Sequence, residues 1–203
     1  MKISAIKKGI ASLLLVLPLH GFAETKDPDL FVGYTTQDLT DALPAQLLNM
    51  IQRDKVVDAA NHMVQTEYVD PTTGNKALVS LFMLPPDKDG NVPIASKPSD
   101  LDAVIASTEK EMLRQRIKPD QRAGNIDDAT PFRCLQTILN NKVLHSLCST
   151  LIKGRVLEVQ AINTVENTQD EAGLNKIIGQ QNEFVVGMGK TLLALKKSSS
   201  PTQ

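Results

Sequence analysis

The sequence predicts an α+β domain: an antiparallel sheet built from two hairpins and a meander, with about three helices packed on it. Three observations carry that expectation. Residues 77–84 (ALVSLFML) form an apolar run just after the turn-rich stretch 70–75 (DPTTGN). Residues 132–165 hold both cysteines and mix aliphatic with polar residues on either side of Asn140-Asn141-Lys142. Two further stretches, 99–117 and 168–195, carry aliphatic residues at helical spacing.

The first 23 residues stand apart from the fold. Lys2, Lys7 and Lys8 precede a short apolar core at 10–19, and Gly21 and Ala23 supply small residues before Glu24. That is the pattern of a cleaved secretory signal. A membrane span needs about 20 apolar residues, twice this run. No cysteine follows the core to carry a lipid. The expected product is a periplasmic or secreted chain from Glu24, with one domain over 24–197 and a disordered tail over 198–203.

Charge and composition narrow the function classes. The chain has 22 basic and 23 acidic residues; without the three signal lysines the balance is 19 to 23. Such a surface does not suit nucleic acid or an anionic membrane. There are two Tyr, five Phe and no Trp, so aromatic stacking platforms are disfavoured.

In chain order, Leu30 to Tyr34 (LFVGY) reads as a first strand. Asp41 ahead of Pro44 reads as a helix start, with Leu43, Leu47, Leu48 and Ile51 on one face. Val56, Val57, Ala60 and Met63 continue that face or form a second helix. Residues 64–69 look extended, so 64–84 is expected to be a hairpin with 77–84 as a central strand. Prolines 85, 86, 93 and 98 mark a loop. Ser99 with Asp102 resembles a capping box, opening a helix whose stripe is Leu101, Val104, Ile105, Thr108, Met112 and Ile117. Polar residues 119–131 read as a loop.

The cysteine segment reads as a second hairpin. If Asn140-Asn141-Lys142 is the loop and Leu139 faces Val143, then Cys134 lies directly across from Cys148, where Cβ atoms are about 4.5–5.5 Å apart. A bond needs about 3.5–4.5 Å, a small adjustment. The same residues also fit a helical stripe, in which the two cysteines would be about 21 Å apart and unable to bond. Lys153-Gly154-Arg155 then turns the chain into a strand over 156–165. Thr168 with Glu171 fits a capping box for the last helix. Gly179, Gly187 and Gly189 inside it either break it near Gly187 or permit close packing.

Few motifs carry chemistry. Residues 187–191 (GMGKT) end like a phosphate-binding loop, but Phe184 stands where the first glycine belongs. Residues 87–91 (DKDGN) place glycine too early for a calcium loop. With His62 and His145 the two cysteines offer a Cys2His2 zinc set, against which an oxidising compartment favours the disulfide Cys134–Cys148. A Ser or Cys hydrolase would need His62 or His145 as base, and no G-x-S-x-G elbow is present. No catalytic, cofactor or metal residue is assigned. The order of elements resembles the small secreted sandwiches of the PsbP/Mog1-like type; no residue motif carries that likeness.

Three functions remain open. The first is an exported, non-catalytic binding or accessory module acting on a protein partner in the cell envelope. The second is a carrier for a small apolar ligand, held between helices and sheet. The third is a Ser/Cys-His hydrolase.

Overall fold

The computed structural model describes residues 30–197. The expected signal segment and the tail 198–203 lie outside the described residues.

The architecture is α+β: one eight-stranded antiparallel sheet with three helices. Strands β1 (Gln46–Leu47), β2 (Met50–Asp58), β3 (Met63–Val69) and β4 (Lys76–Phe82) follow one another across one half. Strands β5 (Asp120–Asn125), β6 (Pro131–Leu139), β7 (Val143–Ile152) and β8 (Arg155–Thr164) fill the other. The sheet order β1-β2-β3-β4-β8-β7-β6-β5 joins the halves along β4 and β8. It is therefore a single continuous sheet, not two separate hairpins and a meander.

Helices cover both faces. Helices α1 (Thr36–Ala42) and α3 (Glu171–Leu193) sit on the larger core with Val79, Leu81, Cys134, Cys148, Leu157 and Val159. Helix α2 (Pro98–Arg114) packs on the opposite face, where Leu101, Ile105 and Met112 meet Leu135. Cys134 and Leu135 are neighbours in sequence and belong to different cores, as alternation along a strand requires. Side chains as fully buried as Leu157 and Val159 each contribute roughly 1.5–3 kcal/mol. Among the described residues, no helix is long and apolar enough to cross a membrane.

The hairpin reading of residues 132–151 holds, and the helical one does not. Leu139 pairs with Val143 and Cys134 with Cys148, so the register is the one expected. Asn140 and Asn141 both take positive φ, and the Lys142 N–H closes the turn on the Leu139 carbonyl. The 64–84 hairpin also forms, with β3 pairing β4 around the turn at 70–75. Asp70 holds that turn by accepting the Thr72 and Thr73 N–H groups.

Several expectations are corrected. Residues 30–34 form a tight turn, not a strand: Phe31 and Tyr34 exchange both backbone bonds around Val32 and Gly33, each at positive φ. Helix α1 starts earlier than expected, because Thr35 and Asp38 form the capping box. It ends at Leu43, which is extended as a residue before proline must be. Residues 46–58 are consequently strands β1 and β2, with a short 3-10 turn at Ala59–Asn61, rather than one or two helices. The supposed loop 119–131 contains β5. It is polar because it is an edge strand exposed along nearly its whole length, which also discourages further pairing. Helix α2 is capped by Asp100 accepting the Lys97 N–H, with Pro98 in the first turn, so Ser99 and Asp102 are not its cap. Asp170, not Thr168, caps α3 through the Gly173 N–H.

Gly179, Gly187 and Gly189 do not break α3. A Cβ on Gly187 would lie 3.0 Å from Leu47 Cδ1, and one on Gly189 only 2.2 Å from Ile126 Cδ1. The helix approaches the sheet edge more closely than alanine would allow. Gly154 has a different reason: it follows Lys153 in a two-residue turn between β7 and β8, both at positive φ.

Candidate functional site

On the α2 face, cross-strand pairing aligns a row of polar side chains. Val56 lies opposite Gln65, Gln65 opposite Ser80, Ser80 opposite Glu158, and Glu158 opposite Ser149. Gln65 Nε2 donates to Ser80 Oγ at 3.2 Å. Glu158 accepts from Gln160 Nε2 at 2.9 Å. The buried Ser149 hydroxyl has no hydrogen-bond partner.

Of this row, Glu158 also lines a cleft of about 420 Å³. One wall is Phe82, Leu84, Pro85 and Pro93; the other is Ala103 and Val104 of α2. The sequence builds it in two ways. Prolines hold 85–93 out of regular structure, so the segment crosses the face without filling it. Small side chains at Ala103 and Ser107, four residues apart, leave one flank of the helix thin.

Two acids line that cleft: Asp100, whose carboxylate accepts the Ser96 and Lys97 N–H groups at the start of α2, and Glu158 on the sheet. Glu158 is the one whose carboxyl is buried. Burial pushes its carboxyl above the ordinary value, and the Gln160 hydrogen bond offsets this only in part. Among the described residues it has no cationic partner. A desolvated carboxylate in an apolar cleft attracts a cation more strongly than one in water does. Val56 and Ile162, on the same face, are 55% and 43% exposed; Gln65 and Ser80 separate the first from Glu158, and Gln160 the second.

A second cleft, of about 440 Å³, lies on the other face between β5–β7 and the first half of α3. Asp120 and Arg122 project into it from β5, with Gln136 directly across from Asp120. Beneath α3 a polar seam runs from Ser146, which donates to Gln181 Oε1, to Asn163, which accepts from Gln181 Nε2 at 2.6 Å.

The residues singled out from sequence are dispersed. Cys134 and Cys148 do come together, with sulfurs 2.06 Å apart, a disulfide-compatible pair that fits an oxidising compartment. His145 points to the α2 face, away from both cysteines. It is partly buried, which holds its imidazole below the ordinary value. His62 sits at the end of the 3-10 turn at φ 50°, its ring centroid 6.4 Å from that of Phe31. Residues 187–191 are helical throughout. Asp87 closes its own turn by accepting the Asp89 and Asn91 N–H groups. Asp127 does the same with Ala129 N–H. Gly187 packs against Leu47 and Gly189 against Ile126.

Sequence reasoning missed Glu158, Gln136 and Arg155. Glu158 had a readable signal: it is the one acid of β8, set between Leu157 and Val159. Arg155 was read only as part of a turn, yet it is fully buried. No protein-family model matches the chain, and no curated protein matches it.

Proposed function

We propose that this chain is an exported, non-catalytic binding module that acts on a protein partner in the cell envelope. The α2 cleft takes an apolar segment of that partner, with a lysine or arginine reaching Glu158. The observation that carries this reading is the half-buried carboxylate at the floor of an apolar cleft, without a cation of its own. Charge complementarity sets the occupant: the aliphatic walls take apolar side chains, and Glu158 takes a base, the other acid of the lining, Asp100, being engaged by the Ser96 and Lys97 N–H groups. The exposed Val56 and Ile162 on the same face favour a protein over a small apolar ligand, which would need only the enclosed volume. The cysteine pair is consistent with work in an oxidising compartment.

Peptide display against the oxidised chain from Glu24 onward tests this. Wild type should enrich peptides with a basic residue flanked by aliphatic ones. The Glu158→Gln variant should lose the basic preference and keep the aliphatic one. Enrichment without any basic residue, or the same basic residue on both proteins, would remove the reading.

A further inference from the structure

The cleft on the α3 face carries chemistry that the α2 cleft does not. Gln136 is only 4% exposed, and its Nε2 has no hydrogen-bond partner. A buried amide donor left unpaired is destabilising, so such a group in a cleft wall points to an acceptor that belongs there. The seam beneath α3 does not supply one. Ser146, opposite Gln136, is engaged with Gln181, and Gln181 with Asn163.

Charged residues of both signs line the same cleft. Arg122 and Asp120 come from the edge strand β5, and Glu171 from the first turn of α3. Among the described residues none of the three is in an ion pair. Opposite charges kept unpaired around one small space suit a ligand that carries both. A simple anion would meet two carboxylates; a simple cation would leave Gln136 Nε2 and Arg122 without an acceptor. Leu144 and Leu174, with Ile138 and Ile178 beside them, supply an apolar wall.

We infer that this cleft binds a small aliphatic zwitterion, a free α-amino acid of the leucine type. Its carboxylate accepts from Gln136 Nε2 and from Arg122. Its ammonium group lies toward Asp120 and Glu171. Its side chain rests on the aliphatic wall. This site is independent of the α2 cleft and of its proposed partner.

Three probes separate the contributions: L-leucine, isovalerate, which lacks the ammonium group, and isopentylamine, which lacks the carboxylate. Calorimetric titration should show leucine binding, with each truncated probe at least about tenfold weaker. Arg122→Ala and Asp120→Asn change exposed residues, so the fold should persist, and each should weaken leucine about tenfold. NMR should show the Gln136 side-chain amide resonances moving with leucine. Three results would each overturn the inference. One is no heat and no movement of those resonances at about 10 mM leucine. Another is isovalerate or isopentylamine binding as tightly as leucine. The third is equal leucine affinity in wild type and Arg122→Ala.

Discussion

Glu158 lies directly across the ladder from Ser149, whose buried hydroxyl has no partner, and from Ser80 on its other side. A carboxylate and hydroxyls thus line the middle of a sheet face that aliphatic residues would otherwise fill. Such an arrangement costs stability and is kept where a site needs it.

Burial holds the Glu158 carboxyl above its ordinary 4.5. The folded chain therefore keeps this proton to higher pH than the unfolded chain does. The associated stability is complete below the unfolded value and is lost as pH rises through the folded one. Glu158→Gln, which cannot lose a proton, should melt above wild type at about pH 7 and level with it at about pH 4. Scanning calorimetry at the two values checks this; an unchanged or lower melting temperature at neutral pH would contradict it.

Arg155 ties the start of the described chain to the sheet. It is fully buried, its Nη2 donates to the Tyr34 carbonyl at 3.2 Å, and its Nη1 donates to the Phe31 carbonyl at 3.3 Å. Its guanidinium also stacks 5.3 Å from the Phe31 ring centroid. Arg155→Ala removes the second donor to each of these carbonyls and empties a fully buried space, and should cost about 2–4 kcal/mol in urea unfolding. Arg155→Lys should recover only part of that loss, because one ammonium cannot reproduce the planar fork. Full recovery by lysine would show that charge alone matters.

The helical glycines should separate by sign. Nothing lies within 4 Å of a Cβ placed on Gly179, so Gly179→Ala should stabilise by about 0.5–1 kcal/mol. A Cβ on Gly189 would strike buried Ile126, so Gly189→Ala should cost about 1–3 kcal/mol. Thermal melts of both variants decide, and equal effects would contradict the close approach of α3 to Ile126.

Cys134 and Cys148 are set across from each other by the β6–β7 register. The oxidised chain should weigh about 2 Da less than its reduced form. Replacing both cysteines with alanine should cost about 3 kcal/mol, the chain-entropy value for a loop of this length. No mass change on reduction would exclude the bond.

Local chemistry made strands β6, β7 and β8 legible. Asn140-Asn141 and Lys153-Gly154 are turns that tolerate positive φ; the first sets the β6–β7 register that pairs the cysteines, and the second sets the β7–β8 register. The 43–63 region was misread because Leu47, Leu48, Ile51, Val56 and Val57 fit a helical stripe as well as a half-buried strand. What decided it was Pro44, which ends α1 instead of starting a helix. The polarity of β5 hid a strand whose environment is solvent. Neither cleft was legible. Glu158 and Gln136 acquire meaning only from residues on other strands and helices, at separations no local pattern reports.

The central claim is that Glu158 recognises a basic residue in an apolar partner segment, and a thermodynamic cycle tests it most directly. A display-selected peptide and its analogue with norleucine in place of the basic residue are titrated against wild type and Glu158→Gln by fluorescence anisotropy. The expected result is a loss of about tenfold or more on wild type, shrinking to about twofold on the variant, which should itself be the more stable protein at neutral pH. An equal loss on both proteins would show that the basic residue is read elsewhere, and would contradict the assignment of Glu158.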